Sequence, residues 1–299
     1  MTPLRQQMLD AMAVRGLAVR TQEAYVDSLG RMARHFKRSP AELTAQEIEA
    51  YMVHLVKDRQ LSFSTVNHVA AASRFLFTHV LAQPETGQRM LPPVARTRQK
   101  RPELLARAQI AQLFAHCHSP MTRMLLQTLY ACGLRLSEGC HLRVADIDSA
   151  PDRLCVRVVE GKGGADRYTL LSPTLLVLLR EHCQRYRCHQ QASGWLFFNR
   201  HTQQPLSTSS VQRHYQAARR DAGITKAGST HTLRHCFATH LLEAGIDLHT
   251  ICRLLGHGHI ETTSRYLHLI SPQFKPPRTL DPLDLLAGLP VLPVLPPLH

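Results

Sequence analysis

Residues 231–268 read HTLRHCFATHLLEAGIDLHTICRLLGHGHIETTSRYLH, and the rest of the chain can be organised around them. The first fourteen of these residues have the period of an amphipathic helix. At about 100° per residue, the apolar side of that helix carries Leu233, Phe237, Leu241 and Ala244. The opposite side carries His231, Arg234 and His235. The spacing therefore predicts a helix over 231–244 with one basic face.

The second half of the same segment predicts two further helices. Asp247 is placed to cap the first of them and Gly256 to end it. Thr262 is placed to cap a short helix in which Tyr266 lies one turn from the start. Taken alone, Tyr266 is more typical of a packing aromatic, and a single loop histidine such as His257 is more often structural than catalytic. Other parts of the sequence are needed to decide whether Tyr266 and His257 are packing residues or catalytic residues.

The composition bounds the class of protein. The chain has 299 residues, room for two domains, and its 36 Lys and Arg against 22 Asp and Glu give a net charge of +14. This balance favours a polyanionic partner, although an inert basic surface would look the same. Eight scattered cysteines and no secretory signal predict a reducing, cytoplasmic location. No apolar run is long enough to cross a bilayer, so we expect no membrane partner.

The first 83 residues have a helical period throughout. Helix caps are predicted at Thr21, at Thr44 with Glu47 three residues on, and at Ser64. Residues 84–102 lack any period and contain several prolines, which predicts a linker. Its basic cluster is Arg96, Arg98, Lys100 and Arg101. This cluster either follows a phosphate backbone or is simply solvated.

A second, mostly helical domain follows. Ser119 and Gly133 bracket one helix, and Ser172 and Ser207 start two others. Between them, residues 154–158 alternate in polarity, and 167–171 form a candidate partner strand across a glycine-rich turn that contains Lys162. The fold class is therefore mainly α with a small antiparallel β-hairpin or sheet. Residues 272–299 are a Pro- and Leu-rich tail.

Six residues of this chain have types and an order that suit one chemistry, although each is weak alone. They are Arg135, Lys162, His231, Arg234, His257 and Tyr266. Their order resembles that of the tyrosine recombinase, or phage integrase, family. The matching local motifs are CGLRLSE at 132–138, GKG at 161–163, HTLRH at 231–235, and LGH at 255–257 leading to Tyr266. The match is nearly continuous over 231–268, and the opening of the chain resembles integrases carried on bacterial mobile elements.

The resemblance implies an organisation and partners. Residues 1–83 would be a helical, SAM-like core-binding domain, 84–102 a basic linker, and 103–271 the catalytic domain. The two domains would clamp double-stranded DNA, with a homotetramer on paired sites, in the bacterial cytoplasm at the nucleoid. Strand exchange would need no ATP, metal or cofactor.

The resemblance also implies roles, and these fit the residue types. Tyr266 would attack a phosphodiester and leave a 3′-phosphotyrosyl link, while Arg135 and Arg234 hold the non-bridging oxygens. His231 would take the tyrosine proton and Lys162 would protonate the departing 5′-oxygen. His257 would bond the phosphate or place the nucleophile. Supporting roles would fall to Glu138 and His235.

The sequence leaves three alternative functions to consider. A DNA-binding accessory protein could keep the fold without catalysis, and a topoisomerase-like enzyme could relax DNA with the same tyrosine. A metal hydrolase is a poor third, because His231, His235 and His240 have no acidic ligand between them. Cys183 and Cys188, on one predicted helix, would point about 140° apart and not share zinc. The GCHL run at 139–142 departs from the family pattern and predicts looser packing behind Arg135.

Overall fold

The computed structural model describes residues 2–89, 103–159, 166–190 and 193–256, with the backbone alone described at residue 89. The chain divides into two compact units, residues 1–99 and 100–299. Within the described ranges, no helix is both long and apolar enough to cross a bilayer.

The first unit is entirely helical in its described part, which confirms the prediction for it. Its helices are α1 (Pro3–Val14), α2 (Val19–Phe36), α3 (Ala45–Lys57), α4 (Phe63–Phe75) and α5 (Pro84–Arg89). Side chains from α1 to α4 form one apolar core that includes Met8, Met12, Met32, Ile48 and Val66. The predicted capping box of α3 is present, since Glu47 N donates to Thr44 Oγ1 at 3.2 Å and Thr44 N to Glu47 Oε2 at 2.8 Å.

Two predicted caps of this unit are wrong, the first by three residues and the second by two. Helix α2 begins at Val19 with Ala18 as its cap, ahead of Thr21. Helix α4 is capped by Ser62, whose Oγ accepts from Thr65 N, and Ser64 lies inside the helix. A cap needs extended backbone, which Ser62 has with ψ 149°, and the residue type alone does not show which of two neighbouring serines adopts it.

The start of the predicted linker is helical. Helix α5 covers residues 84–89 and follows a π-helical turn, Leu76–Val80. A Cβ at Gly87 would overlap the Thr78 side chain, so α5 lies directly against that turn. Pro84 fits the first helical position, where its missing N–H costs nothing. The rest of the predicted linker, with its basic cluster, lies outside the described residues.

The second unit is mostly helical. Its helices are α6 (Arg107–Ala115), α7 (Pro120–Cys132), α8 (Leu136–Cys140), α9 (Pro173–Tyr186), α10 (Thr208–Asp221), α11 (Thr230–Glu243) and α12 (Leu248–Leu255). The predicted caps at Ser119, Ser172, Ser207 and Asp247 all accept a backbone N–H of the first turn. Gly133 and Gly256 end α7 and α12 at φ +63° and +65°, in the left-handed region that favours glycine.

A small antiparallel sheet completes this unit. Its strands are β1 (Ile147–Asp148), β2 (Cys155–Val158) and β3 (Arg167–Leu170), in the order β1-β2-β3. The predicted pairing of β2 with β3 is confirmed, with Val158 opposite Arg167. Strand β1 was not predicted, because two residues are too short to show alternation. The mainly α fold class with a small antiparallel sheet is thus confirmed.

Candidate functional site

The structure describes five of the residues that the sequence assigns to the site. Arg135, Glu138, His231, Arg234 and His235 lie in the described ranges. Outside those ranges lie Lys162, His257, Tyr266 and the basic cluster Arg96, Arg98, Lys100 and Arg101. The described part of the site is built from the ends of α7, α8, α11 and α12 and the start of β3.

Glu138 lies at the centre of this arrangement. It occupies the first turn of α8, and its side chain is 8% exposed. Three guanidinium groups surround the carboxylate: Arg167 binds both oxygens at 2.9 and 2.7 Å, Arg135 Nη1 binds Oε1 at 2.5 Å, and Arg234 Nη1 lies 3.8 Å from Oε2. One carboxylate therefore fixes three cations in one place.

The same contacts explain why Glu138 stays charged in spite of its burial. Burial by itself would raise the pKa of the carboxyl group. The hydrogen bonds from Arg167 and Arg135 and the Arg167 charge outweigh burial and lower the pKa of Glu138 to about 2. Glu138 is therefore a permanent anion at any physiological pH.

Arg135 is placed by its own backbone. It is the residue before α8, and its N–H donates to Glu138 Oε2 at 2.8 Å while its side chain bonds the other oxygen. Its side chain remains 24% exposed. The guanidinium is therefore oriented from two sides by Glu138 and still reaches solvent.

Arg234 lies deeper than the sequence predicted. The helical period places it on the basic side of α11, yet the residue is 1% exposed. Its Nη1 donates to Gly133 O at 2.7 Å and its Nη2 to Leu255 O at 2.6 Å. The polar side of α11 is covered by the ends of α7 and α12, whose carbonyls carry partial negative charge and suit a buried cation.

His231 opens α11 on the exposed side of this cluster. Partial desolvation of the imidazole lowers its pKa, and the charges of Arg234 and Arg135 lower it further. His235 lies one turn on, with its ring 4.5 Å from that of His231. Both effects favour the neutral imidazole, the form that can accept a proton.

Arg167 belongs to the site and was missed from the sequence. It is the first residue of β3, and its side chain is 9% exposed. Besides its two bonds to Glu138, its Nε donates to Leu254 O at 3.1 Å. The available signal was its position at the end of the glycine-rich turn. An arginine in a strand otherwise suggests a solvated face.

Packing behind Arg135 is tight, contrary to the expectation drawn from the GCHL run. A Cβ at Gly139 would overlap the Leu129 side chain, so the glycine lets α8 lie directly on α7. Cys140 and Leu142 are 0% and 2% exposed. The departure from the family pattern thus gives closer helix contact.

The first unit carries a basic cleft of its own. The cleft has a volume of about 610 Å³ and is bordered by α2, α3 and α4. Its arginine and histidine side chains are Arg31, Arg34, His35, His54, Arg59 and His68. Arg31 forms an ion pair with Asp27, so part of this charge is already matched.

His240, Cys183 and Cys188, which the sequence raised as metal ligands, occupy structural positions. His240 Nδ1 lies 2.8 Å from the Tyr130 hydroxyl, on a different side of α11 from His231. The prediction that Cys183 and Cys188 lie on one helix and point about 140° apart is wrong, because α9 ends at Tyr186 and the two buried thiols are hydrogen-bonded to each other. Across the described ranges, no group of three or more His, Cys, Asp or Glu side chains is arranged to hold a metal ion.

Comparisons with known proteins cover nearly the whole chain. Residues 103–271 match the Phage integrase family, and residues 4–86 match the Phage integrase, N-terminal SAM-like domain. A Sinorhizobium fredii protein that carries the name integrase/recombinase y4qK is 36% identical over 286 residues, 96% of this chain and 90% of that protein. A tyrosine recombinase of Pseudothermotoga lettingae is 29% identical over 269 residues, 88% of this chain and 92% of its own.

Solved structures share the fold. A lambda integrase tetramer bound to a Holliday junction superposes with a TM-score of 0.66 at 19% identity, over 88% of this chain and 76% of that one.

Proposed function

Because the chain belongs to the phage integrase family and is a tyrosine recombinase, an enzyme that cleaves and rejoins DNA, we propose that Tyr266 attacks a DNA phosphodiester in this site. The residues that complete the active site are Arg135, Lys162, His231, Arg234 and His257. The observation that best supports this proposal is the cluster of three guanidinium groups around the buried carboxylate of Glu138.

The charge of this cluster suits a phosphodiester. Three cations and one anion leave two positive charges, and Arg135 carries part of that excess at the solvent-exposed edge. Negative charge develops on the non-bridging oxygens as Tyr266 attacks. Fixed guanidiniums stabilise that charge without rearranging during the reaction. Glu138 holds the guanidiniums apart at set positions and stays out of the chemistry.

Proton transfer completes the proposed reaction. A tyrosine hydroxyl has an ordinary pKa near 10, so it needs a base at neutral pH. His231 is neutral there and accepts the proton, while Lys162 protonates the 5′-oxygen that leaves. The product is a 3′-phosphotyrosyl link, which a different 5′-hydroxyl can reverse without ATP. The arginines supply the positive charge that a metal ion would otherwise provide.

The same proposal includes the partner and its assembly. Double-stranded DNA is the partner supported by the net charge of +14 and by the basic cleft of the first unit. Residues 1–83 and 103–271 would clamp the duplex as core-binding and catalytic domains, with the basic part of 84–102 along the backbone. A tetramer on paired sites is supported by the likeness to the lambda integrase assembly on a Holliday junction.

The test of the active site is covalent trapping on a nicked suicide substrate. Wild-type protein should form an adduct that survives a denaturing gel, and Tyr266→Phe should form none while still shifting the DNA in a native gel. Tyr168→Phe is the matched control, since Tyr168 is an exposed tyrosine of the same unit, and it should react like wild type. An adduct formed by Tyr266→Phe would show that another residue is the nucleophile.

A further inference from the structure

Arg167 makes contacts that none of the roles above explains. Its two terminal nitrogens bind the two oxygens of Glu138 at 2.9 and 2.7 Å. Such a fork-to-fork pair fixes direction as well as distance, because both groups are planar. Arg167 therefore sets the orientation of Glu138, the residue that in turn holds Arg135.

A third donor of Arg167 reaches another element. Its Nε donates to Leu254 O at 3.1 Å, in the last turn of α12. A Cβ at Gly256 would lie only 2.5 Å from Arg167 Cδ, so the helix end rests on the arginine stem. The chain leaves this point directly into residue 257. Arg167 thus joins the start of β3, the first turn of α8 and the end of α12.

We propose that Arg167 is a positioning residue of the recombination reaction. It fixes Arg135, through Glu138, relative to the point from which the chain runs on to His257 and Tyr266. Since three of its donors face Glu138 and Leu254, and its side chain is 9% exposed, it acts through those groups. The inference rests on the active site proposed above.

The decisive substitution is Arg167→Lys, which keeps the charge and replaces a two-point fork by a single ammonium. Single-turnover cleavage of the nicked substrate at saturating DNA should slow by about tenfold to a hundredfold, as expected for a misplacement on the order of 1 Å. The DNA dissociation constant from native gels should change by less than about twofold. Arg185→Lys, an exposed arginine of α9, is the matched control and should cleave at the wild-type rate.

Coupling to Glu138 gives a second measurement that general destabilisation would not produce. If Arg167 acts through Glu138, the double variant Arg167→Lys with Glu138→Gln should cleave no more slowly than the slower single variant. Multiplied losses in the double variant would overturn the proposal.

If Arg167→Lys does not fold, Gly256→Ala tests the same positioning role. The new Cβ displaces the Arg167 stem, whereas Gly223→Ala has the same positive φ with nothing within 4 Å. Gly256→Ala should cleave at least about tenfold more slowly than Gly223→Ala with unchanged DNA affinity.

Three results would contradict either the positioning role or the active site, and they can be told apart. Wild-type cleavage by Arg167→Lys, or by Gly256→Ala, contradicts the positioning role. Equal losses of DNA affinity and cleavage rate contradict it too, since they indicate a direct phosphate contact. Absence of any adduct with wild-type protein would instead contradict the active site itself.

Discussion

At the scale of single residues, Glu138 is a buried carboxylate on which three guanidinium groups converge. Its carboxylate touches Arg135, Arg167 and Arg234, which reach it from three separate elements. Buried charges of one sign repel one another, so removal of an anion that pairs with a buried cationic cluster is strongly destabilising. Glu138 is thus required for stability as well as for the geometry of the site.

We expect Glu138→Gln to lower stability in a pH-dependent manner. The folded-state pKa of about 2 lies below the ordinary carboxyl value of about 4.3, so the charged form stabilises the fold above that ordinary value. This contribution is fully present at pH 7, about 3 kcal/mol, and is lost as the pH falls from about 5 towards 2. Glu138→Gln should therefore be less stable at pH 7, and its deficit should shrink in acid.

Urea unfolding followed by tryptophan fluorescence measures this difference. The chain has one tryptophan, Trp195, which lies in the second unit beneath the Arg143 guanidinium at 4.5 Å. The signal therefore reports the unit that contains Glu138. Glu181→Gln, an exposed carboxylate of α9, should match wild type at every pH. A deficit that stayed constant between pH 7 and pH 3 would refute the electrostatic explanation.

The sequence predicted which residues form the site better than it predicted how deeply their side chains are buried. Arg135, Glu138 and Arg234 were named from motifs, and the structure brings their side chains together; their catalytic roles stay predictions. The depth of Arg234 was not predictable from its helix, because the groups that cover it belong to the ends of α7 and α12. Arg167 was missed for the same reason, since its partners lie 29 and 87 residues away.

At the scale of elements, the site depends on where helices end. Gly133 ends α7 at φ +63°, and its carbonyl accepts from Arg234. A Cβ there would lie 2.5 Å from Phe237 Cδ1 and 3.1 Å from Leu255 Cδ2. Glycine is needed at this position both for the backbone conformation and for the close approach of α11 and α12.

Gly133→Ala should accordingly be costly. The left-handed backbone costs about 1 kcal/mol for alanine, and overpacking against a buried ring adds about 1–3 kcal/mol. Gly223→Ala is the control that isolates the packing part, because Gly223 has φ +65° and nothing within 4 Å of the added atom. Unfolding followed by Trp195 should show a clearly larger loss for Gly133→Ala. Equal losses would mean that backbone strain alone accounts for the effect.

Helices and strands were predictable to the extent that local chemistry defines them. Serine or aspartate caps and glycine ends located α7, α9, α10 and α12, because each acts on its own first or last turn. The start of α4 was missed where Ser62 and Ser64 competed for the cap. Strand β1 exists only through its pairing with β2, which no local pattern of two residues can reveal.

At the scale of the whole molecule, the net charge of +14 should be felt mainly in DNA binding. Replacement of Arg96, Arg98, Lys100 and Arg101 by glutamine should weaken binding and make its salt dependence shallower. Each lost phosphate contact lowers the slope of log K against log salt by about 0.9, so four contacts predict a decrease of about 3 to 4. Cleavage at saturating DNA should change little, because these residues lie outside the catalytic set.

A variant with the same loss of charge elsewhere distinguishes contact from general attraction. Its four substitutions to glutamine are at exposed arginines of the second unit, namely Arg180, Arg185, Arg187 and Arg200. Its slope of log K against log salt should differ from that of wild type by no more than about 0.9, the value of one phosphate contact. If both variants lose the same slope, net charge and not the linker controls affinity.

The Arg234 contacts have a consequence for how the protein is made. Arg234 is held by Gly133, made 101 residues earlier, and by Leu255, made 21 residues later. A ribosome that has translated only part of the second unit therefore carries a chain in which the guanidinium cluster has not been assembled. A prematurely terminated product that stops before residue 255 lacks the Leu255 carbonyl, one of the two that hold Arg234.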